Sequence, residues 1–270
     1  MLVKLIKHEF KATSRTLLSL YVVLLDVVLL AVTLINKLIN PFEILRDSEG
    51  FNFQILLNVM SVIIYIAIIF AVMASTFVTI IQRFYKNLLG NEGYLTFTLP
   101  VETWQHIMSK MIVSIIWLIL SIVVIFASIL IISGAGNFIR EFIKFLDDIE
   151  TILGKGILII LPTYILSALL LIILTIYNSI SIGHQFQNHK ILASFAMAGA
   201  FYLLTQAILV ITFLIFAFIH YGGISPSQFN STEIPNGNIL FGVVTIILLI
   251  ISVGHFISAN YMLKNRLNLE

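Results

Sequence analysis

Residues 111–132 read MIVSIIWLILSIVVIFASILII, a run without one charged side chain. The hydrocarbon layer of a bilayer is about 30 Å thick, so a helix crosses it with roughly 20 such residues. Outward from this run, five others meet the same test of length and polarity: about 17–35, 56–81, 156–182, 191–219 and 239–262. Backbone polar groups in lipid must be satisfied internally, which makes helix the expected form of each. Several of these runs exceed the minimum, which predicts tilt or protrusion beyond the headgroups. The expected fold is an all-α polytopic membrane protein, with six transmembrane helices in one domain over residues 1–270.

Composition agrees. The chain is 60% hydrophobic and 10% charged, with a mean hydropathy of +1.08, whereas soluble domains are about one-quarter charged. A water-soluble core is excluded. The absence of cysteine removes disulfides and thiolate metal sites, and a net charge of +2 is too small to imply a nucleic-acid partner.

Residues 1–15 set Leu2, Leu5, Ile6 and Phe10 on one helical face and Lys4, Lys7, His8 and Lys11 on the other. This pattern predicts an amphipathic helix at the membrane interface, in contact with lipid headgroups. A signal peptide is the competing reading, but the following apolar run is long, contains Asp26 and lacks a small-x-small cleavage site. If the N-terminus lies inside, the inner segments hold Lys4, Lys7, Lys11, Arg15, Arg83, Lys86, Lys110, Lys190, Lys264 and Arg266. The outer ones hold Lys37, Arg46, Arg140, Lys144 and Lys155, so the count is ten against five. The excess places both termini in the cytoplasm.

The connectors differ in character. Residues 36–55 and 221–238 are polar and glycine-containing. After the third span, Phe138, Phe142, Phe145, Leu146, Ile149, Ile152 and Leu153 recur at helical spacing opposite a charged face, which predicts a helix on the outer leaflet or over the span ends. The inner turn GHQFQNHK, with His184 and His189, reads as solvated or as a smaller contact with a partner. Within the spans, Ala193, Ser194, Ala196, Ala198, Gly199 and Ala200 predict a close-packed seam, and Pro162 predicts a kink in the fourth helix.

The largest polar stretch between spans is RFYKNLLGNEGYLTFTLPVETWQHIMSK, Arg83 to Lys110. Gly90 and Gly93 permit positive φ where a helix must stop, and Pro100 disfavours helix just before it. Glu102 stands near the start of the next helix, where the dipole favours an acid. Between these lie Glu92, Tyr94, Leu95, Phe97 and Leu99, too apolar a set for an idle connector.

The run Asn91-Glu92-Gly93-Tyr94-Leu95-Thr96-Phe97-Thr98-Leu99-Pro100-Val101, with Lys110 following, resembles the first cytoplasmic loop of bacterial ABC transporter permeases of the type-2 export family. In that family the loop is a coupling helix seated in a groove of a separate ATPase subunit. The resemblance therefore implies ATPase-coupling roles for Glu92, Tyr94, Leu95, Phe97 and Leu99. It also implies ABC ATPase subunits and a second identical or related permease as partners, in a bacterial cytoplasmic membrane. ATP and magnesium would sit on the ATPase subunit. This chain has no GxxxxGK[ST] motif of its own, since Gly154-Lys155-Gly156 lacks the spacing and the hydroxyl residue, so no enzymatic activity is expected of it.

Two polar groups lie deep in spans, Asp26 and His255. An ionised carboxylate in lipid costs several kcal/mol unless it is paired, so Asp26 is expected to be paired or neutral inside the bundle. His255, with Ser258 and Asn260 near it, is a structural hydrogen-bonder on the simplest view. The histidines show no metal-binding spacing, so no metal site is expected. The function expected is the membrane subunit of an ATP-driven exporter of hydrophobic or amphipathic cargo, such as a peptide, lipid-like molecule or drug. The alternatives are an ATP-independent carrier or channel, which ordinarily needs several intramembrane charges, and a non-transporting scaffold or sensor.

Overall fold

The computed structural model describes residues 1–38, 53–90, 92–98, 100–133, 135–186, 189–221 and 237–266. Over these residues the protein is helical, without strands. The helices are α1 (Leu2–Leu38), α2 (Phe53–Phe84), α3 (Gly93–Phe97), α4 (Thr103–Ser133), α5 (Ala135–Leu153), α6 (Ile157–Gly183), α7 (Lys190–Tyr221) and α8 (Gly237–Asn265). A single π turn, Tyr85–Leu89, extends α2. Six helices are long and apolar enough to cross a membrane, namely α1, α2 with its π turn, α4, α6, α7 and α8. Most of the connectors expected at 36–55 and 221–238 fall outside the described residues.

Helix α4 is the centre of the bundle. Its serines Ser114, Ser121 and Ser128 recur every seven residues, which keeps them on one helical stripe. Each meets a tyrosine from a different helix. Ser114 Oγ lies 2.9 Å from the Tyr177 hydroxyl of α6. Ser121 Oγ lies 2.7 Å from that of Tyr21 in α1, and Ser128 Oγ 2.7 Å from that of Tyr65 in α2. Thr76 of α2 joins the middle layer at 3.0 Å from Ser121. Since lipid tails are as apolar as the helices, such polar pairs and close packing hold spans together where the hydrophobic effect does not.

Two apolar clusters flank this stripe. Leu17, Tyr21, Leu24, Val28, Val72, Val113 and Trp117 join α1 to α2 and α4. Phe84, Leu88, Leu89, Ile107, Leu118, Ile173, Tyr177, Ala259 and Leu263 join α2, the π turn, α4, α6 and α8 at the end of the bundle that carries the 83–110 stretch. Phe84 and Tyr177 stack there with centroids 4.0 Å apart. Outward-facing side chains such as Phe70, at 74% exposure, and Ile250, at 65%, remain apolar as a lipid-facing surface requires.

The segment 1–15 has the predicted amphipathic pattern but is not a separate piece. It runs unbroken into the first span as α1, because residues 12–20 contain neither glycine nor proline. Its apolar side leans on α4: Phe10 stacks on Trp117 at 4.8 Å, and Ile6 packs against the α1–α2–α4 cluster.

Helix α5 forms where the spacing predicts it, with Phe138 and Phe142 edge-on to Phe126 of α4 at 6.1 and 5.9 Å. Gly154 and Gly156, at φ of 97° and 91°, close α5 and open α6 in the left-handed region that glycine tolerates best. Helix α6 continues through Pro162, and the Thr163 hydroxyl donates to the Ile160 carbonyl at 2.6 Å.

The small-residue seam of α7 is used only in part. A Cβ on Gly183 of α6 would lie 2.5 Å from the Ser194 backbone nitrogen, so that glycine sets how closely α6 and α7 approach. Ala196, Gly199 and Ala200 face outward instead. His184, expected in a solvated turn, is buried, with its ring edge-on to Tyr85 at 5.9 Å.

Candidate functional site

The stretch from Arg83 to Lys110 begins and ends on α1. At its start, Arg83 Nη2 donates to the Ala12 carbonyl at 2.7 Å. At its end, Lys110 pairs with the Glu9 carboxylate, the two side chains being 3% and 12% exposed. Glu9 and Ala12 are three apart and so lie on one face of α1. One turn further, Trp117 Nε1 donates to Thr13 Oγ1 at 2.7 Å. Both ends of the stretch are thus fastened to a single turn of the first helix.

Breaking a buried ion pair by removing one partner typically costs about 3–5 kcal/mol, because an uncompensated charge remains. The α1 contact is therefore stiff against small displacements of the stretch. Sequence reasoning found the cations but not the acid that pairs with Lys110, since Glu9 lies among the apolar residues of an amphipathic segment. An acid on that face was the available signal.

Between the fastened ends, α2 winds into the π turn, closed by the Gly90 amide donating to the Tyr85 carbonyl at 2.9 Å. Gly90 is extended, at φ −92°, and Gly93 simply opens α3; neither is in the left-handed region expected of it. Gly90 is required for another reason. A Cβ there would come within 2.9 Å of the Lys86 carbonyl oxygen.

Glu92 stands at the N-cap of α3 without a side-chain capping bond, and its side chain is exposed. Tyr94 and Leu95 project from α3 at 57% and 74% exposure. Phe97 closes α3; its side chain, and Leu99 as a whole, lie outside the described residues. Glu102 immediately precedes α4, as expected, and accepts from Trp104 Nε1.

The intramembrane groups separate. His255 is buried between helices, its Nδ1 2.9 Å from Asn178 Nδ2 of α6 and its ring edge-on to Phe201 of α7 at 4.8 Å. It ties α6, α7 and α8 together, as a structural histidine does. Asp26 does not face into the bundle: it sits on the exposed side of α1 and forms no ion pair or side-chain hydrogen bond among the described residues. The reason is rotational, since Leu24 and Val28 take the inward positions on either side of it. Among the described residues no three acidic or histidine side chains cluster to hold a metal.

No protein family, curated protein or solved structure matches this chain.

Proposed function

We propose that the protein is the membrane-spanning subunit of an ATP-driven exporter of the ABC type, with α3 and its flanks as the element that docks on a separate ATPase subunit. One observation carries the reading: two exposed anchors, Tyr94 and Leu95, stand on a stretch whose two ends, Arg83 and Lys110, are fastened to α1. Anchors of this kind contribute about 1.5–3 kcal/mol each when covered. A rigidly rooted loop can pass displacement at the anchors into the spans α1, α2 and α4. Two copies of the chain, or one and a related permease, would enclose the path of a hydrophobic or amphipathic cargo. The membrane is a bacterial cytoplasmic membrane, with both termini inside.

The test is purification of the tagged chain from its native membrane, followed by an ATP hydrolysis assay of the bound fraction. An ATPase should co-purify with the unaltered chain. The Tyr94→Ala/Leu95→Ala variant should still reach the membrane yet lose it. An unchanged ATPase complement in that variant, or transport by vesicles containing this chain alone, overturns the assignment.

A further inference from the structure

Helix α7 touches the rest of the bundle chiefly through α6, and on its uncovered side the side chains are spaced as a seam. Ala196, Gly199, Leu203, Gln206, Val210 and Phe213 alternate steps of three and four residues, and all six face outward. That is the spacing with which two helices pack knobs into holes along a shared stripe. The apolar members of the stripe suit lipid equally well. Two members do not.

Gln206 stands about 24 Å along α7 from Lys190 and about 20 Å from Ile219, which puts it near the middle of the span. Its carboxamide forms no hydrogen bond among the described residues, and hydrocarbon offers none. Gly199 lies two turns before it, where an added Cβ would meet nothing within 4 Å. The bundle therefore gives no steric reason for a glycine at a position where glycine weakens a helix. Close approach by a helix from outside supplies one.

We propose that α7 is the interface between two copies of this chain, packed in parallel about a two-fold axis along the membrane normal, with the two Gln206 carboxamides hydrogen-bonded to each other. In such a contact each residue at the axis meets its own counterpart at the same depth. Glutamine satisfies itself there, because its side chain both donates and accepts. Asp26, the outward acid of α1, would instead meet its own charge. Gly199 lets the two backbones come close, and a single polar residue within an apolar seam fixes register and partner. The dimer deepens the two-copy arrangement proposed above and rests on that reading for its role in transport. It forms without an ATPase.

The experiment uses the purified full chain carrying a single cysteine by Asp148→Cys, labelled with a donor in one batch and an acceptor in another, and mixed in phosphatidylcholine vesicles. Energy transfer should exceed that of random encounters and persist as lipid dilutes the protein. Association should weaken on the order of tenfold in Gln206→Leu, survive in Gln206→Asn and weaken in Gly199→Ile, since Cβ at that position is unopposed within one copy. Ile250→Ala, at an outward position of α8, should leave it unchanged. In the otherwise cysteine-free chain, Leu203→Cys should form a disulfide between copies, while Leu204→Cys, also outward but off the seam, should not. Association that survives Gln206→Leu overturns the proposal, as do equal cross-linking at the two positions and transfer no greater than random encounters give. Each of those results leaves ATPase co-purification, and with it the transport reading, untouched.

Discussion

Glu9 and Lys110 are 101 residues apart in the chain and form a buried ion pair. Lys110→Met should destabilise the protein by roughly 3–5 kcal/mol, because the Glu9 carboxylate loses the cation bonded to it in a largely buried setting. The double variant Glu9→Gln/Lys110→Met should recover most of that loss, as measured by reversible unfolding in mixed micelles. Equal instability of the single and double variants would show that packing of the lysine stem, rather than charge, matters. Asp26 is the opposite case: its carboxylate faces outward at mid-run and forms no ion pair or side-chain hydrogen bond among the described residues. Replacing it by leucine should stabilise the isolated chain by about 1–3 kcal/mol, the order of the cost of an acid at that depth. A lower melting temperature for Asp26→Leu in detergent would refute that account.

At the level of elements, the packing of α7 depends on one glycine. It touches the bundle chiefly through α6, and at Gly183 a Cβ would lie 2.6 Å from the Ser194 Cα. Backbone cannot swing aside as a side chain does, so Gly183→Ala should push the two helices apart at a cost of about 1–3 kcal/mol. Disulfide trapping between cysteines placed near that crossing should fall in rate if the helices separate, and an unchanged rate would contradict the close approach. The pattern on α7 announced a seam, yet three of its six small residues, Ala196, Gly199 and Ala200, face outward. A run of small residues permits close packing on any side of a helix and does not choose the side. The polar stripe of α4 was equally available as Ser114, Ser121 and Ser128, seven apart, but serine in a span reads as neutral filler until its tyrosine partners are known.

For the molecule as a whole, the chain contains no cysteine, so single cysteines can report sidedness without further change. Cysteines at Glu92 and at Lys144 should react with an impermeant maleimide from opposite sides of sealed vesicles, because an odd number of spans, α4 alone, separates α3 from α5. Labelling of both from one side would require α4 not to cross. Hydropathy determined the rest at this scale. Span number, helical class and the amphipathic character of residues 1–15 and 135–153 follow from transfer free energies that each residue carries wherever its neighbours are. The 83–110 stretch stood out for a related reason, as the largest polar interruption that still held a set of apolar side chains. Only tertiary structure decided which faces meet. It fastened Arg83 and Lys110 to one turn of α1, turned Asp26 outward and drew Asn178 to His255. These are pairwise outcomes among residues tens to a hundred positions apart. They depend on the rotation and spacing of whole helices, set by contacts such as Gly183 against Ser194, which one-dimensional periodicity leaves undetermined.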